Sequence, residues 1–192
     1  MLADAYQKWR ELTPRHERVR QGLEEKLQLV IDKQRIQEMI NVDVSAVTAL
    51  TRAFLPGMIQ RKRGRVLNVG STAGFLPGPY MAIYYASKAF VNSFTEALWF
   101  ELRDTGVTAT VSCPGPTATE FAGVAGNDKT ALFQNGGAAT AGEVARDAYL
   151  SMLAGKPMVV HGVKMKLQIQ SLRFSPRSVA RAIAARLNQP KA

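Results

Sequence analysis

The 192-residue chain predicts an α/β fold: a parallel sheet of about three strands flanked by helices, with a helical segment in front of it. Three observations carry that prediction. Short apolar runs at 65–69 and 107–113 are rich in β-branched residues, and each stops at a turn signal. Long stretches with apolar residues at helical spacing precede and separate them. Helices alternating with buried strands imply a parallel sheet joined by right-handed crossovers.

Residues 1–38 read as helix, with Leu23, Leu27 and Val30 recurring among charged side chains. Thr13 is placed to cap a second helix opened by Pro14. From Gln37 to Ile59, the residues Met39, Ile40, Val44, Val47, Leu50, Phe54 and Met58 suit a long helix packed on a sheet, which Pro56 kinks or ends. Lys62-Arg63-Gly64 is a turn. The strand 65–69 then flows into a small-residue loop extended by Pro77, Gly78 and Pro79. A helix over 84–102 presents Ala86, Ala89, Phe90 and Phe94 on one face. Gly106 ends it, and 107–113 is a second buried strand stopped by Pro114-Gly115. The stretch 117–140 is long, irregular and rich in Gly, Ala and Asn, a composition associated with function or mobility. A helix over 143–153, a third strand over 157–161 and a basic helix over 178–187 complete the chain. Between the last two, Val163, Met165, Leu167 and Ile169 alternate with Lys and Gln, a period closer to a strand than to a helix.

Apolar content of 46% and charged content of 21% suit one domain with a single core. The lone Cys113 excludes an internal disulfide framework and a thiol cluster for zinc; at the end of a buried strand it reads as a core thiol. No continuous run of about eighteen apolar residues occurs, which on that criterion excludes a membrane-spanning helix. The N-terminus has no short apolar core of the signal-peptide kind, so a cytoplasmic location is the default expectation. Net charge is +10, from 25 basic and 15 acidic residues, and no acidic residue follows Asp147. That asymmetry suits an anionic lipid or a phosphorylated ligand, or simply a solvated basic face; nucleic acid is not expected. Arg177, Arg181 and Arg186 read as one helical stripe with Val179, Ile183 and Leu187 largely elsewhere, which would suit an anionic membrane surface.

The chemistry concentrates elsewhere. Thirteen residues separate Ser71 from Tyr84, and Lys88 follows one helical turn later. An i,i+4 pair shares a helix face, so the Lys88 ammonium is expected beside the Tyr84 phenol. A nearby cation favours phenolate and would lower the tyrosine pKa toward the range of a general acid/base. Tyr85 competes for the role, but it lies i,i+3 from Lys88 and breaks the step from Ser71.

The sequences Gly64-Arg-Val-Leu-Asn-Val-Gly-Ser71, Tyr84-Tyr-Ala-Ser-Lys88 and Pro114-Gly-Pro-Thr-Ala-Thr119 resemble, in order and spacing, the second half of the short-chain dehydrogenases/reductases. The resemblance spans roughly 36–160. It implies an incomplete Rossmann-like three-layer fold and an NAD- or NADP-linked oxidoreductase acting on a carbonyl or secondary alcohol. It further implies that Tyr84 exchanges a proton with the substrate oxygen, that Ser71 holds that oxygen, and that Lys88 tunes Tyr84 and binds the nicotinamide ribose. Asn68, Pro114, Gly115, Thr117 and Thr119 would complete the cofactor side, with 117–140 as a substrate lid. The family's helices, here 36–59 and 84–103, would build a homo-oligomer, with Phe94, Leu98 and Trp99 as anchors. The basic excess favours NADP.

Two features depart from that pattern. The glycine-rich cofactor half is not recognisable, which divides the chain into a charged helical segment, 1–35, and a family-like part, 36–192, with a basic tail from about 162. A truncated or rearranged start would account for it, leaving an oligomerisation remnant or an anionic-surface binder as the alternative to an active enzyme. Second, the family's relay asparagine aligns with Asp43, as though Asn41 and Asp43 had exchanged places. An ionised carboxylate accepts hydrogen bonds and cannot donate them, so Asp43 is expected to pair with Lys88 and draw it from its roles.

Overall fold

The computed structural model describes residues 33–118 and 139–189. The helical reading of 1–32, the Thr13 cap, Thr119 and the segment 119–138 lie outside the described residues.

Strand β1 (Gly64–Val69) runs parallel to β2 (Val107–Cys113), with Gly64 opposite Val107 and Val69 opposite Ser112. A small parallel pair follows, β3 (Thr117–Ala118) with β4 (Ala139–Thr140). Strand β5 (Met158–Val160) completes the main sheet on the other edge of β2, giving the order β1-β2-β5. The three-stranded parallel sheet and its helical layers are those expected from sequence.

Helix α1 (Lys33–Ile40) continues through a π-helical turn (Asn41–Ala46) into α2 (Val47–Gln60) without a break. Pro56 does not end it. Its ring sits on the exposed side, where the carbonyl it leaves unpaired can reach water. By length and composition, Arg35–Gln60 is long and apolar enough to cross a membrane, which a search for one unbroken apolar run misses. Here Asp43 and Thr51 on its inner side are buried, so it serves as a covering layer of the sheet.

Helix α3 (Ala82–Glu101) lies against the sheet, and strand periodicity decides what meets it. Val107 and Ala109 pack with Leu98 and Leu102, joined by Leu55, Met58, Val66, Phe94 and Trp99. Val111 and Cys113 pack with Val91. Each fully buried aliphatic side chain contributes roughly 1.5–3 kcal/mol. Leu98 is therefore core, Phe94 and Trp99 pack against it, and the Trp99 indole donates to the Gly155 carbonyl at 3.0 Å. Leu98 is thus buried, while Phe94 and Trp99 remain half-buried. The large apolar side chains left outside on α2 and α3 are Leu50, Phe54, Ile59 and Phe100.

The alternate residues of β2 point the other way, toward α4 (Ala141–Leu153). This helix starts two residues before the expected 143 because Thr140 and Glu143 form a reciprocal capping box. On this side Thr110 Oγ1 donates to the Lys156 carbonyl at 2.7 Å. Residues 163–172 are helical, not strand: α5 (Val163–Leu172) turns Met165, Ile169 and Leu172 inward and leaves Val163 and Leu167 exposed. The alternating pattern thus divides over two helix faces. In α6 (Arg177–Asn188) the buried stripe is Ala180, Ala184 and Asn188. Val179 and Ile183 are exposed, and Arg186, seven residues from Val179, shares their side, which corrects the stripe read from sequence.

Candidate functional site

Parallel strands deliver their C-terminal ends to one edge of the sheet, and ligands in such folds bind there. The site is built at that edge, where β1 runs into Gly70 and Ser71. Gly70 N–H donates to the Ser112 carbonyl at 2.8 Å, and Thr72 N–H to the Pro114 carbonyl at 3.0 Å. Ser71 is buried and caps a 3₁₀ turn (Thr72–Phe75), its Oγ accepting from Ala73 N–H at 3.0 Å.

Helix α3 brings Tyr84 to this serine. The Tyr84 hydroxyl lies 3.4 Å from Ser71 Oγ across the thirteen-residue step. That spacing is longer than a well-formed O–H···O bond, and a third oxygen placed between the two groups could reach both. With both lone pairs of Ser71 Oγ so addressed, its own proton is left for such an oxygen. Tyr85, the sequence competitor, points away: its hydroxyl donates to Asn188 Oδ1 at 3.0 Å.

Lys88 stands one turn on, but its ammonium is held by Asp43 Oδ1 at 2.9 Å and reaches the Val69 carbonyl at 3.3 Å. It lies 5.9 Å from the centre of the Tyr84 ring. Asp43 sits on the π-helical turn, buried, and also accepts from Ser87 Oγ at 2.6 Å. The expected ion pair between Asp43 and Lys88 is therefore present. The expected lowering of the Tyr84 pKa is not: burial pushes it above the ordinary value. The Ser71 hydrogen bond lowers it only in part, and the charge on Asp43 raises it further. The lysine charge is spent on the aspartate, and the phenol is desolvated.

Asn92 is the residue that sequence reasoning missed. Its amide grips the Ser71 backbone from α3, Nδ2 donating to the Ser71 carbonyl at 2.9 Å and Oδ1 accepting from Ser71 N–H at 3.4 Å. Cys113 donates to the same oxygen at 3.3 Å. A side chain at Gly70 or Gly74 would collide with the Asn92 amide, so both positions require bare backbone. The Gly70-x-x-x-Gly74 spacing after β1 was the available signal; Asn92, four residues after Lys88 and eight after Tyr84 on the same helix, completes it. Cys113 is an inert core thiol, its pKa pushed up to about 12 by burial.

Of the expected cofactor residues, Asn68 is committed to α3, its amide donating to Thr95 Oγ1 at 2.9 Å. Pro114 and Gly115 lie beside Ser71. A Cβ at Gly115 would meet Met165 Cε at 2.8 Å, the flexible tip of the side chain that α5 lays over this loop. The Thr117 hydroxyl folds back on the Gly115 carbonyl at 3.0 Å.

Behind β2 lies an unexpected chain: Ser112 Oγ is 2.8 Å from His161 Nε2, and His161 Nδ1 is 2.9 Å from Asp147 Oδ2. The order Ser-His-Asp matches a hydrolytic triad, but Ser112 is buried within a strand and no acyl group could reach it. The chain fastens the tips of β2 and β5 to α4. Among the described residues no cluster of metal-ligating side chains occurs.

A family model described as short chain dehydrogenase matches residues 22–130. The chain is similar to the very-long-chain 3-oxoacyl-CoA reductase of Mus musculus, 40% identical over 87 residues, which covers 45% of this chain and 28% of that protein. Among solved structures it is similar to a short-chain dehydrogenase from Sphingobium yanoikuyae in complex with NADPH, with 25% identity and a TM-score of 0.63. That match covers 82% of this chain and 59% of the other. A closed serine dehydrogenase complexed with NADP+ matches at 30% identity and a TM-score of 0.61, covering 68% of this chain and 56% of the other. The chain thus spans well under two thirds of each relative.

Proposed function

We propose that this chain, which belongs to the short-chain dehydrogenase family, forms the catalytic part of an NADP-linked oxidoreductase that reduces a ketone, with a 3-oxoacyl thioester as its substrate class. The observation that carries the reading is the approach of Tyr84 to Ser71 at the open edge of the sheet. The substrate class rests on the similarity to 3-oxoacyl-CoA reductases, and the cofactor on the relatives seen with NADPH and NADP+.

The residues present fit the nicotinamide end of such a cofactor. Gly115 carries no side chain, and what fills the space beside it is the flexible tip of Met165, which a ring could displace; Lys88 lies within the same edge. A pyrophosphate needs a glycine-rich turn at a helix N-terminus. Among the described residues the glycines after β1 do not serve, because Asn92 fills the space above them. Lys88 and the Pro114-Gly115 backbone would hold the nicotinamide ribose and ring, which supply a hydride when bound.

This chain's own part is proton transfer and orientation. Ser71 donates a hydrogen bond to the ketone oxygen and fixes it beside the phenol. Tyr84, kept protonated by burial, delivers its proton to that oxygen as negative charge develops there. The phenolate left behind takes a proton back from solvent. Asp43 holds Lys88 in place at the cost of its influence on Tyr84.

Nicotinamide fluorescence on mixing the chain with NADPH, followed by NADPH oxidation with a 3-oxoacyl thioester, tests the reading. Tyr84→Phe is expected to slow turnover by about 10²–10⁴-fold while the fluorescence change survives. An unchanged cofactor spectrum at millimolar NADPH would defeat the reading. Asp43→Asn removes a charge that raises the Tyr84 pKa and releases Lys88. Reduction needs the protonated phenol, so its rate falls above that pKa; the variant is expected to shift this alkaline limb to lower pH. A limb that stays put would show that the charge on Asp43 does not govern the Tyr84 phenol.

Self-association through the outward side of α2 and α3 belongs to the same proposal. Leu50, Phe54 and Phe100 would then be its contacts, and sedimentation of a Phe54→Ser variant as a smaller species than the parent would support it.

A further inference from the structure

We infer that the outer face of α5 and the corner that follows it form a docking surface for an anionic lipid bilayer. Helix α5 half-buries Met165, Ile169 and Leu172, and turns a different set of apolar side chains toward solvent: Val163 is 73% exposed and Leu167 66%. Helical geometry puts these two one turn apart on one side, with Lys164 and Lys166 on its two flanks. At the corner after the helix Phe174 is 90% exposed, beside Arg173. No acidic residue lies anywhere beyond Asp147 to neutralise these cations.

Solitary exposed apolar residues are ordinary, but an aromatic ring left almost wholly in water among basic residues is not the arrangement of a merely solvated face. Lysines beside an apolar strip can lay their stems along it and keep their ammonium groups at headgroup level. This is the arrangement of a segment that lies in a membrane interface, apolar side chains entering the acyl boundary and cations meeting anionic headgroups. A nucleic acid would use the same cations but would give Val163 and Leu167 nothing to enter; the apolar side chains decide for lipid. The inference is independent of the oxidoreductase reading.

Co-sedimentation of the full chain with vesicles tests it, using phosphatidylcholine alone and phosphatidylcholine with phosphatidylserine. Binding is expected to the mixed vesicles only, and to weaken as salt is raised. Leu167→Ser with Phe174→Ser alters only exposed positions and leaves every charge in place; it is expected to lower the affinity by about tenfold or more. Lys164→Glu with Lys166→Glu is expected to abolish the preference for anionic vesicles. Circular dichroism of each variant matching that of the parent secures the fold. Equal binding to neutral vesicles, no binding to either, or loss through the lysine changes with none through the apolar pair would each overturn the inference. In the last case, salt-sensitive binding to duplex DNA would identify the face as one for nucleic acid.

Discussion

The two faces of the sheet are held by different forces. Against α3, the inward residues of β2 meet Leu98, Leu102 and Val91 in an apolar layer, and the polar groups there, Asn92 with Ser71 and Cys113 and Asn68 with Thr95, are hydrogen-bonded to one another. Against α4, the alternate residues of the same strand are Thr108, Thr110 and Ser112; the last two meet their neighbours through hydrogen bonds, extended by one histidine–aspartate pair. A single strand therefore contributes packing to one side and polar links to the other. The reactive groups stand on the packed side, where rigid surroundings hold Tyr84 and Ser71 in register. The linked side fixes the height of the strand tips.

The contrast can be broken most forcefully at Leu98. Leu98→Ala should cost about 2–5 kcal/mol, read as a lowered urea midpoint, because a cavity opens in an apolar layer. A loss near that of an exposed leucine would mean the α3 face is not close-packed. Asn92→Leu comes next. It keeps the volume but leaves the Ser71 amide buried without a partner and its carbonyl with only the Gly74 N–H, a cost of about 1–3 kcal/mol. Faster amide exchange at Ser71 and Gly74 should accompany it, and exchange rates equal to the parent's would count against the grip described for Asn92.

On the opposite face the effects should be smaller. His161→Ala severs the link between β2 and α4 and is expected to cost about 1 kcal/mol, since the remaining ladder still pairs the strands. Chemical denaturation gives that number; a loss matching Leu98→Ala would erase the distinction between the faces. The smallest effect should reverse in sign. Thr108 Oγ1 is buried with no hydrogen-bond partner. Thr108→Val replaces it with a methyl of the same shape and should leave stability unchanged or raise it by up to about 1 kcal/mol. A destabilisation there would reveal a partner for that hydroxyl.

Much of this arrangement is legible in the chain. Runs of β-branched residues broken by glycine and proline locate β1, β2 and β5, because a half-buried strand needs that composition. The Ser71, Tyr84 and Lys88 constellation is legible because its parts sit at fixed spacings on one strand end and one helix. What escaped involves partners that spacing does not reveal. Asn92 reads as an ordinary helical polar residue until Gly70 and Gly74 are seen to make room for it. Ser112, His161 and Asp147 come from three elements, and only their assembly makes them a chain. Helix α5 was misread because four alternating apolar residues satisfy a two-residue period, though two turn inward and two outward in a helix. The Tyr84 pKa moved opposite to expectation chiefly because burial desolvates the phenol, which spacing along the chain does not reveal; the charge on Asp43 adds to that shift.

The widened winding at Asn41–Ala46 has a consequence for engineering this helix. One surplus residue in a regular spiral turns everything before it by about 100° relative to everything after it. Stripes drawn straight through the whole of Arg35–Gln60 therefore change sides midway, and a substitution chosen on such a stripe would land on the wrong surface upstream. Excising a single residue from the bulge would restore even pitch at the price of swinging the carboxylate away from the ammonium it clasps.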